Sequence, residues 1–131
     1  MPAPLLYEYA VIRVVPRVER EEFLNAGVVL YCRQQKRIAV RIDLDEQRLH
    51  LLAPGSDPVE IRSYLDAFVR IARGEKGNGP ISELDAAGRF RWLTAQRSTV
   101  IQTSRVHPGL CNEPDEALEK LFAQLVAQPM V

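Results

Sequence analysis

Tyr7-Glu8-Tyr9-Ala10-Val11-Ile12-Arg13-Val14-Val15, closed by Pro16, reads as a β-strand. It is dense in aromatic and β-branched residues, and the proline cannot donate to a strand ladder. One face carries Tyr7, Tyr9, Val11, Arg13 and Val15; the other carries Glu8, Ala10, Ile12 and Val14. Beyond Glu8 the second face is the cleaner apolar one and is expected to point to the core. Asn25 then precedes Ala26-Gly27-Val28-Val29-Leu30-Tyr31-Cys32, apolar on both faces, as suits a central strand. Arg33 to Lys36 is polar and turn-like. Arg37 to Asp43 alternates, with Ile38, Val40 and Ile42 inward and Arg37, Ala39 and Arg41 outward. So short a loop between two strands implies an antiparallel hairpin.

Arg17 to Glu22, between the first two strands, is a charged connection with room for one helical turn. Downstream, Asp45 to Leu52 fits a short helix or a strand, and Pro54, Gly55 and Pro58 break it. The best helix signal follows. Asp57 can cap, Pro58 suits the first helical position, and Glu60 sits three residues after the cap. Ile61, Tyr64, Leu65, Phe68, Ile71 and Ala72 keep helical spacing, Arg70 and Arg73 suit the negative end, and Gly74 closes it. Gly74 to Pro80 is a flexible loop. Ser82 is read as capping a brief helix through Asp85 to Ala87, which Gly88 interrupts, with another turn or two over Phe90 to Gln96. Thr99 to Arg105 starts β-rich and suggests a fourth strand, and Val106-His107-Pro108-Gly109 reads as a turn, with a positive φ at Gly109. A last helix from Pro114 carries Leu118, Leu121, Phe122, Leu125 and Val126 on one stripe and stops at Pro129. The expectation is one α+β domain over residues 1–131, an antiparallel sheet of about three to five strands packed against two main helices.

Composition agrees with a folded domain. The chain has 131 residues, 47% hydrophobic and 26% charged, enough to bury a core without a disulfide or metal staple. Seventeen basic residues balance seventeen acidic ones, which argues against a general nucleic-acid coat protein. Charge is segregated: residues 1–42 are net basic and the last twenty net acidic, which reads as solvated faces, with a functional electropositive surface as the alternative. Cys32 and Cys111 form no CxxC pair and read as reduced thiols. No apolar run approaches a membrane span, and Met1 to Leu6 lacks the basic and apolar regions of a signal peptide. A cytoplasmic location, away from membranes, is the expectation.

No strong catalytic motif is present, neither a phosphate-binding loop, nor a GxGxxG after a strand, nor HExxH, nor GxSxG. His50 and His107, with Cys32 and Cys111, lack metal-ligand spacing, so neither a metal nor a cofactor is expected. Cys111 near His107 is a weak thiol–imidazole pattern, the main opening for an enzyme such as a thiol hydrolase or phosphodiesterase. The most unusual cluster is Gly88-Arg89-Phe90-Arg91-Trp92-Leu93-Thr94-Ala95-Gln96-Arg97-Ser98-Thr99, followed by His107. Arg89, Arg91, Trp92, Arg97, Ser98 and His107 together offer planar guanidinium forks, a stacking face and hydroxyl donors for an anionic ligand or nucleotide. The plainer alternative is that Trp92 packs under the sheet and the arginines bridge to acids. Arg89 and Arg91 share a face only if that piece is extended. Tyr7, Tyr9, Arg13, Arg37 and Arg41 form a second candidate surface, for single-stranded nucleic acid, unless a helix or partner covers it.

Three stretches carry a resemblance. Tyr7 to Pro16 with Glu22-Phe23-Leu24-Asn25-Ala26-Gly27-Val28-Val29-Leu30 resembles the opening of a family of small bacterial proteins. Phe90 to Thr99 with His107-Pro108-Gly109 resembles its second block, and Leu118 to Val126 its closing segment. The family is domain of unknown function 3037. The resemblance covers nearly the whole chain and implies a stand-alone domain with no assigned activity and no catalytic residue to carry over. It also implies a neighbouring gene for a HipA-like kinase, hence a protein partner. Asn25 and Gly27 read as a backbone irregularity at the start of the second strand. The leading functional expectation is a non-enzymatic protein-interaction or regulatory accessory module. The alternative is a small anionic-ligand protein using the Arg/Trp cluster.

Overall fold

In the computed structural model, which describes residues 3–127, β1 (Leu5–Val14) is one of two inner strands of a five-stranded antiparallel sheet. One side of β1 pairs with β2 (Leu24–Cys32), which pairs in turn with β3 (Arg37–Ile42). The other side carries two short strands end to end. β4 (Ile101–Thr103) lies opposite Ile12–Val14, and β5 (His107–Cys111) lies opposite Leu5–Tyr9. The fold is antiparallel α+β, as the alternation implied.

Helices cover both faces of the sheet. On one face lie α1 (Glu46–Leu52), α2 (Pro58–Ala72) and α3 (Ala86–Leu93). Ala10, Ile12 and Val14 are fully buried there with Val29 and Tyr31, against Leu49, Leu65, Phe68 and Phe90. The Tyr31 and Phe90 rings stack with centroids 5.4 Å apart. On the other face α4 (Pro114–Leu125) buries Leu118 and Phe122 on Val28, Leu30 and Ala39. The acidic C-terminal segment meets the basic N-terminal one: Asp115 pairs with Arg37 and Glu119 with Arg41, whose guanidinium lies 4.2 Å over the Phe122 ring. Exposed ion pairs contribute about 0–1 kcal/mol each, so they orient α4 while apolar burial holds it. Tyr7 and Tyr9 pack partly against the same cluster. α4 therefore engages four of the five residues of the candidate nucleic-acid surface, Tyr7 and Tyr9 by packing and Arg37 and Arg41 by ion pairs.

Caps follow the sequence. Asp57 accepts from Val59 N at 2.9 Å, and Asp45 accepts from Gln47 N and Arg48 N, both at 3.1 Å, which makes Glu46–Leu52 a helix. Five expectations need correction. Gly88 does not interrupt a helix: α3 runs through it, capped by Asp85, which accepts from Gly88 N at 2.8 Å. A Cβ at Gly88 would sit 3.0 Å from that capping oxygen, so glycine leaves the cap its space. Ser82 instead lies in a separate 3₁₀ turn, Pro80–Glu83. Val106 to Gly109 is not a turn, because His107 opens β5. Pro108 is tolerated because β5 is an edge strand, paired on one side alone. Gly109 has no positive φ; it is small because the Tyr7 ring lies directly across it. Finally, the strand expected over Thr99–Arg105 is only three residues long, because Ser104 begins a bulge. Ile12 pairs with Thr103 but Tyr9 with His107, so residues 104–106 oppose Ala10 and Val11. Ser104 closes the gap: its N donates to Val11 O at 2.9 Å, and its Oγ accepts from Val11 N at 2.8 Å. A second bulge, at Ala26, sits between the Ile12–Gly27 and Arg13–Asn25 pairs, so the irregularity expected near Asn25 is real. Pro129, the expected stop of the last helix, lies outside the described residues.

Candidate docking groove

The flank of α2 next to its core stripe presents Tyr64, Ala67, Phe68 and Ile71, spaced i, i+3, i+4, i+7. The last turn of α3 brings up Trp92 and Leu93. The chain then doubles back into β4 through Arg97-Ser98-Thr99-Val100. Between these walls lies a groove of about 520 Å3. Its floor is apolar, and Arg97 is the only charged residue lining it. The Arg97 guanidinium lies 4.2 Å over the Trp92 ring and donates to the Trp92 carbonyl. Trp92 keeps 37% of its surface exposed and Tyr64 keeps 42%. The loop is tied down: Val15 N donates to Val100 O at 2.7 Å, and Gln102 Nε2 donates to Thr99 O at 2.8 Å. At Tyr64 and Val100 the groove meets a second one of about 660 Å3, whose rim carries Arg17, Arg20, Asp57 and Glu60. The Tyr64 hydroxyl donates to Glu60 Oε1 at 2.6 Å, which raises the phenol pKa.

The six residues expected to form one ligand site divide three ways. Trp92, Arg97 and Ser98 come together in the groove. Arg89 and Arg91 do not join them. Residues two apart on a helix point roughly 200° apart, and α3 is a helix here. Arg89 donates to Leu84 O at 2.5 Å and reaches Ala72 O at 3.4 Å, under Gly74, at the C-terminal end of α2. Arg91 clamps Glu8 on β1 through two hydrogen bonds of 2.6 and 2.8 Å. That pairing holds the Glu8 carboxyl below its usual range and raises the Arg91 pKa. His107 lies on the opposite face of the sheet, its ring 5.4 Å from that of Tyr9, its strand partner. Cys111 is four residues along the same strand, about 13 Å away at strand rise. Burial pushes its thiol pKa up, and at that separation the pair lacks the contact of a nucleophile–base couple. Among the described residues, no three His, Cys, Asp or Glu side chains gather as a metal site.

Sequence reading missed the α2 wall, because Tyr64 and Ile71 were absorbed into the core stripe. The signal was there: a stripe of six apolar positions, Ile61, Tyr64, Leu65, Phe68, Ile71 and Ala72, is wider than the four residues α2 buries, Ile61, Leu65, Phe68 and Ala72.

Residues 9–126 match the family model described as protein of unknown function (DUF3037). The chain belongs to the DUF3037 family. No curated protein and no solved structure matches it. The DUF3037 match takes in both walls of the groove and both bulges. Among the described residues of this DUF3037 chain, no helix is long and apolar enough to cross a membrane.

Proposed function

We propose that this DUF3037 protein is a single-domain, non-enzymatic accessory module that binds another protein in the cytoplasm through the α2–α3 groove. One observation carries the reading: both sheet faces are covered by the chain's own helices, yet the apolar groove beside the Arg97–Trp92 stack stays open. Trp, Tyr and Arg lining a concave apolar surface is the composition of binding hot spots. A stable interface needs roughly 1,000 Å2 or more, so the adjoining groove over Arg17 and Glu60 belongs to the same contact. Within the α2–α3 groove itself, Arg97 as the one lining charge favours an apolar anchor with an acidic neighbour. The HipA-like kinase implied by the family resemblance is the first partner to test.

The experiment places a photoreactive residue at Ala67, or at Gln35 in the exposed hairpin turn as control, and crosslinks in the native host. The captured protein is then purified and titrated against Ile71→Glu and Trp92→Ala variants of confirmed fold. Capture from position 67 alone, with affinity reduced at least about tenfold by both variants, supports the reading. A partner that binds both variants as it binds the parent removes it. The Arg97–Trp92–Ser98 constellation supports a second reading, a small anionic ligand in the same groove. A Trp92 fluorescence response to nucleotides or phosphorylated metabolites that is lost in Arg97→Ala selects it.

A further inference from the structure

Three arginines lie on the α4 side of the sheet. Arg37 and Arg41 are paired with acids of α4. Arg13, on β1 and half-buried, has no carboxylate within ion-pair distance among the described residues, and its Nε is buried without a hydrogen-bond partner. Its guanidinium is instead held 4.1 Å over the Phe23 ring. The strand register sets Asn25 of β2 on one side of Arg13 and Gln102 of β4 on the other. Directly paired residues of an antiparallel sheet face the same way, so Asn25, Arg13 and Gln102 form one polar row across three strands. The row lies where the cover of α4 ends: Asn25 Nδ2 donates at 3.0 Å to the carbonyl of Leu125, the last helical residue.

A cavity of about 220 Å3 opens over this row, lined by Arg13, Phe23, Gln102, Ser98 and Glu21 between Val15 and Val18. That is smaller than the roughly 300–1,000 Å3 of sites for drug-sized ligands. Its polar groups are mainly donors: the guanidinium, the second amide hydrogen of Gln102 and the Ser98 hydroxyl. Asn25 Oδ1 is also buried and unpartnered. A half-buried guanidinium without a counter-ion gains most from a charged acceptor. Glu21 opposes this from the rim and weakens the site without filling it.

We infer that the Arg13–Gln102–Ser98 cavity binds a small oxoanion, a phosphate or a carboxylate, independently of the α2–α3 groove on the other side of the 97–100 loop. The test uses the whole ¹⁵N-labelled chain at constant ionic strength and follows the arginine Nε–H signals during titration with sodium phosphate, sodium acetate or sodium chloride. The Arg13 signal, assigned by its loss in Arg13→Gln, is expected to move saturably with phosphate or acetate and not with chloride; which of the two saturates it identifies the source chemistry. Arg13→Gln should weaken binding at least about tenfold, followed on the Gln102 side-chain amide. Glu21→Gln should tighten it about threefold, by removing a like charge from the rim. Glu21 is exposed, so that variant keeps the test open if Arg13→Gln fails to fold. A linear response equal to that of chloride, or a saturable one indifferent to Glu21→Gln, overturns the inference.

Discussion

Replacing Gly27 with alanine should be among the most damaging single-methyl changes in this chain. Gly27 sits on β2 between Ile12 of β1 and Ile42 of β3. A Cβ there would lie 2.6 Å from the Arg41 carbonyl oxygen and 2.8 Å from Ile42 Cγ2, with Ile12 Cδ1 at 3.2 Å. Ordinary carbon–oxygen contacts start near 3.3 Å. The side-chain atoms can turn away, but the carbonyl belongs to the β3 backbone and moves only if the two strands part. Overpacking usually costs about 1–3 kcal/mol, and a backbone obstacle puts Gly27→Ala near the top of that range. About 3 kcal/mol corresponds to roughly 10 °C in Tm for a domain of this size. Gly55→Ala is the matched control. Nothing lies within 4 Å of its Cβ and its φ is not positive, so the same methyl should be neutral or stabilise by up to about 1 kcal/mol. Urea unfolding followed by circular dichroism and by Trp92 fluorescence measures both. A Gly27→Ala midpoint equal to the parent's, or equal losses in the two variants, would refute the close-approach argument.

Gly109→Ala should cost about 1–3 kcal/mol because its methyl meets the Tyr7 ring, and most of that cost should vanish in a Tyr7→Ala background, a coupling that a double-mutant cycle measures. Arg91→Gln should lower stability at pH 7 by up to about 1 kcal/mol. Because the folded Glu8 carboxyl lies below its unfolded value, its pairing stabilises above the normal carboxylate range and is lost as pH falls through the depressed value. The difference between parent and Arg91→Gln should therefore shrink below about pH 4, as urea midpoints at pH 7 and pH 3 will show. Cys111 should alkylate more slowly than a free cysteine at pH 7.5, since burial raises its pKa, and fully buried Cys32 should react only on unfolding; mass spectrometry after timed iodoacetamide exposure distinguishes them.

The strands of the N-terminal half were legible because each carries its own instruction. Period-two alternation over Arg37–Ile42, the two-sided apolar run of β2 and the cap at Asp57 all act within a few residues. What could not be read was set by partners distant in sequence. Pro108-Gly109 looks like a turn by itself and becomes a strand only because Leu5–Tyr9 offers an open edge and Tyr7 needs a glycine beneath its ring. The brevity of β4 has the same origin: Ser104 ends the ladder by taking over a backbone hydrogen bond of Val11, ninety-three residues away.

The candidate site failed in a different way, through local geometry. Arg89, Arg91, Trp92 and Arg97 are close in sequence, and proximity along a chain suggests a shared surface. A helix undoes that inference, since each step of 100° sends the next side chain elsewhere. Arg89 goes back to the end of α2, Arg91 down to Glu8 on β1, and only Trp92 meets the returning loop that carries Arg97 and Ser98. Two of the arginines thus tie α3 to its neighbours and are unavailable to a ligand without loosening the fold. The guanidiniums that border these two cavities without pairing to an acid among the described residues are Arg97 beside Trp92 and Arg13 over Phe23. They face different cavities on the two sides of the same loop, with Ser98 bordering both, so substitutions at Arg97 and Arg13 should affect different ligands while Ser98→Ala touches each slightly.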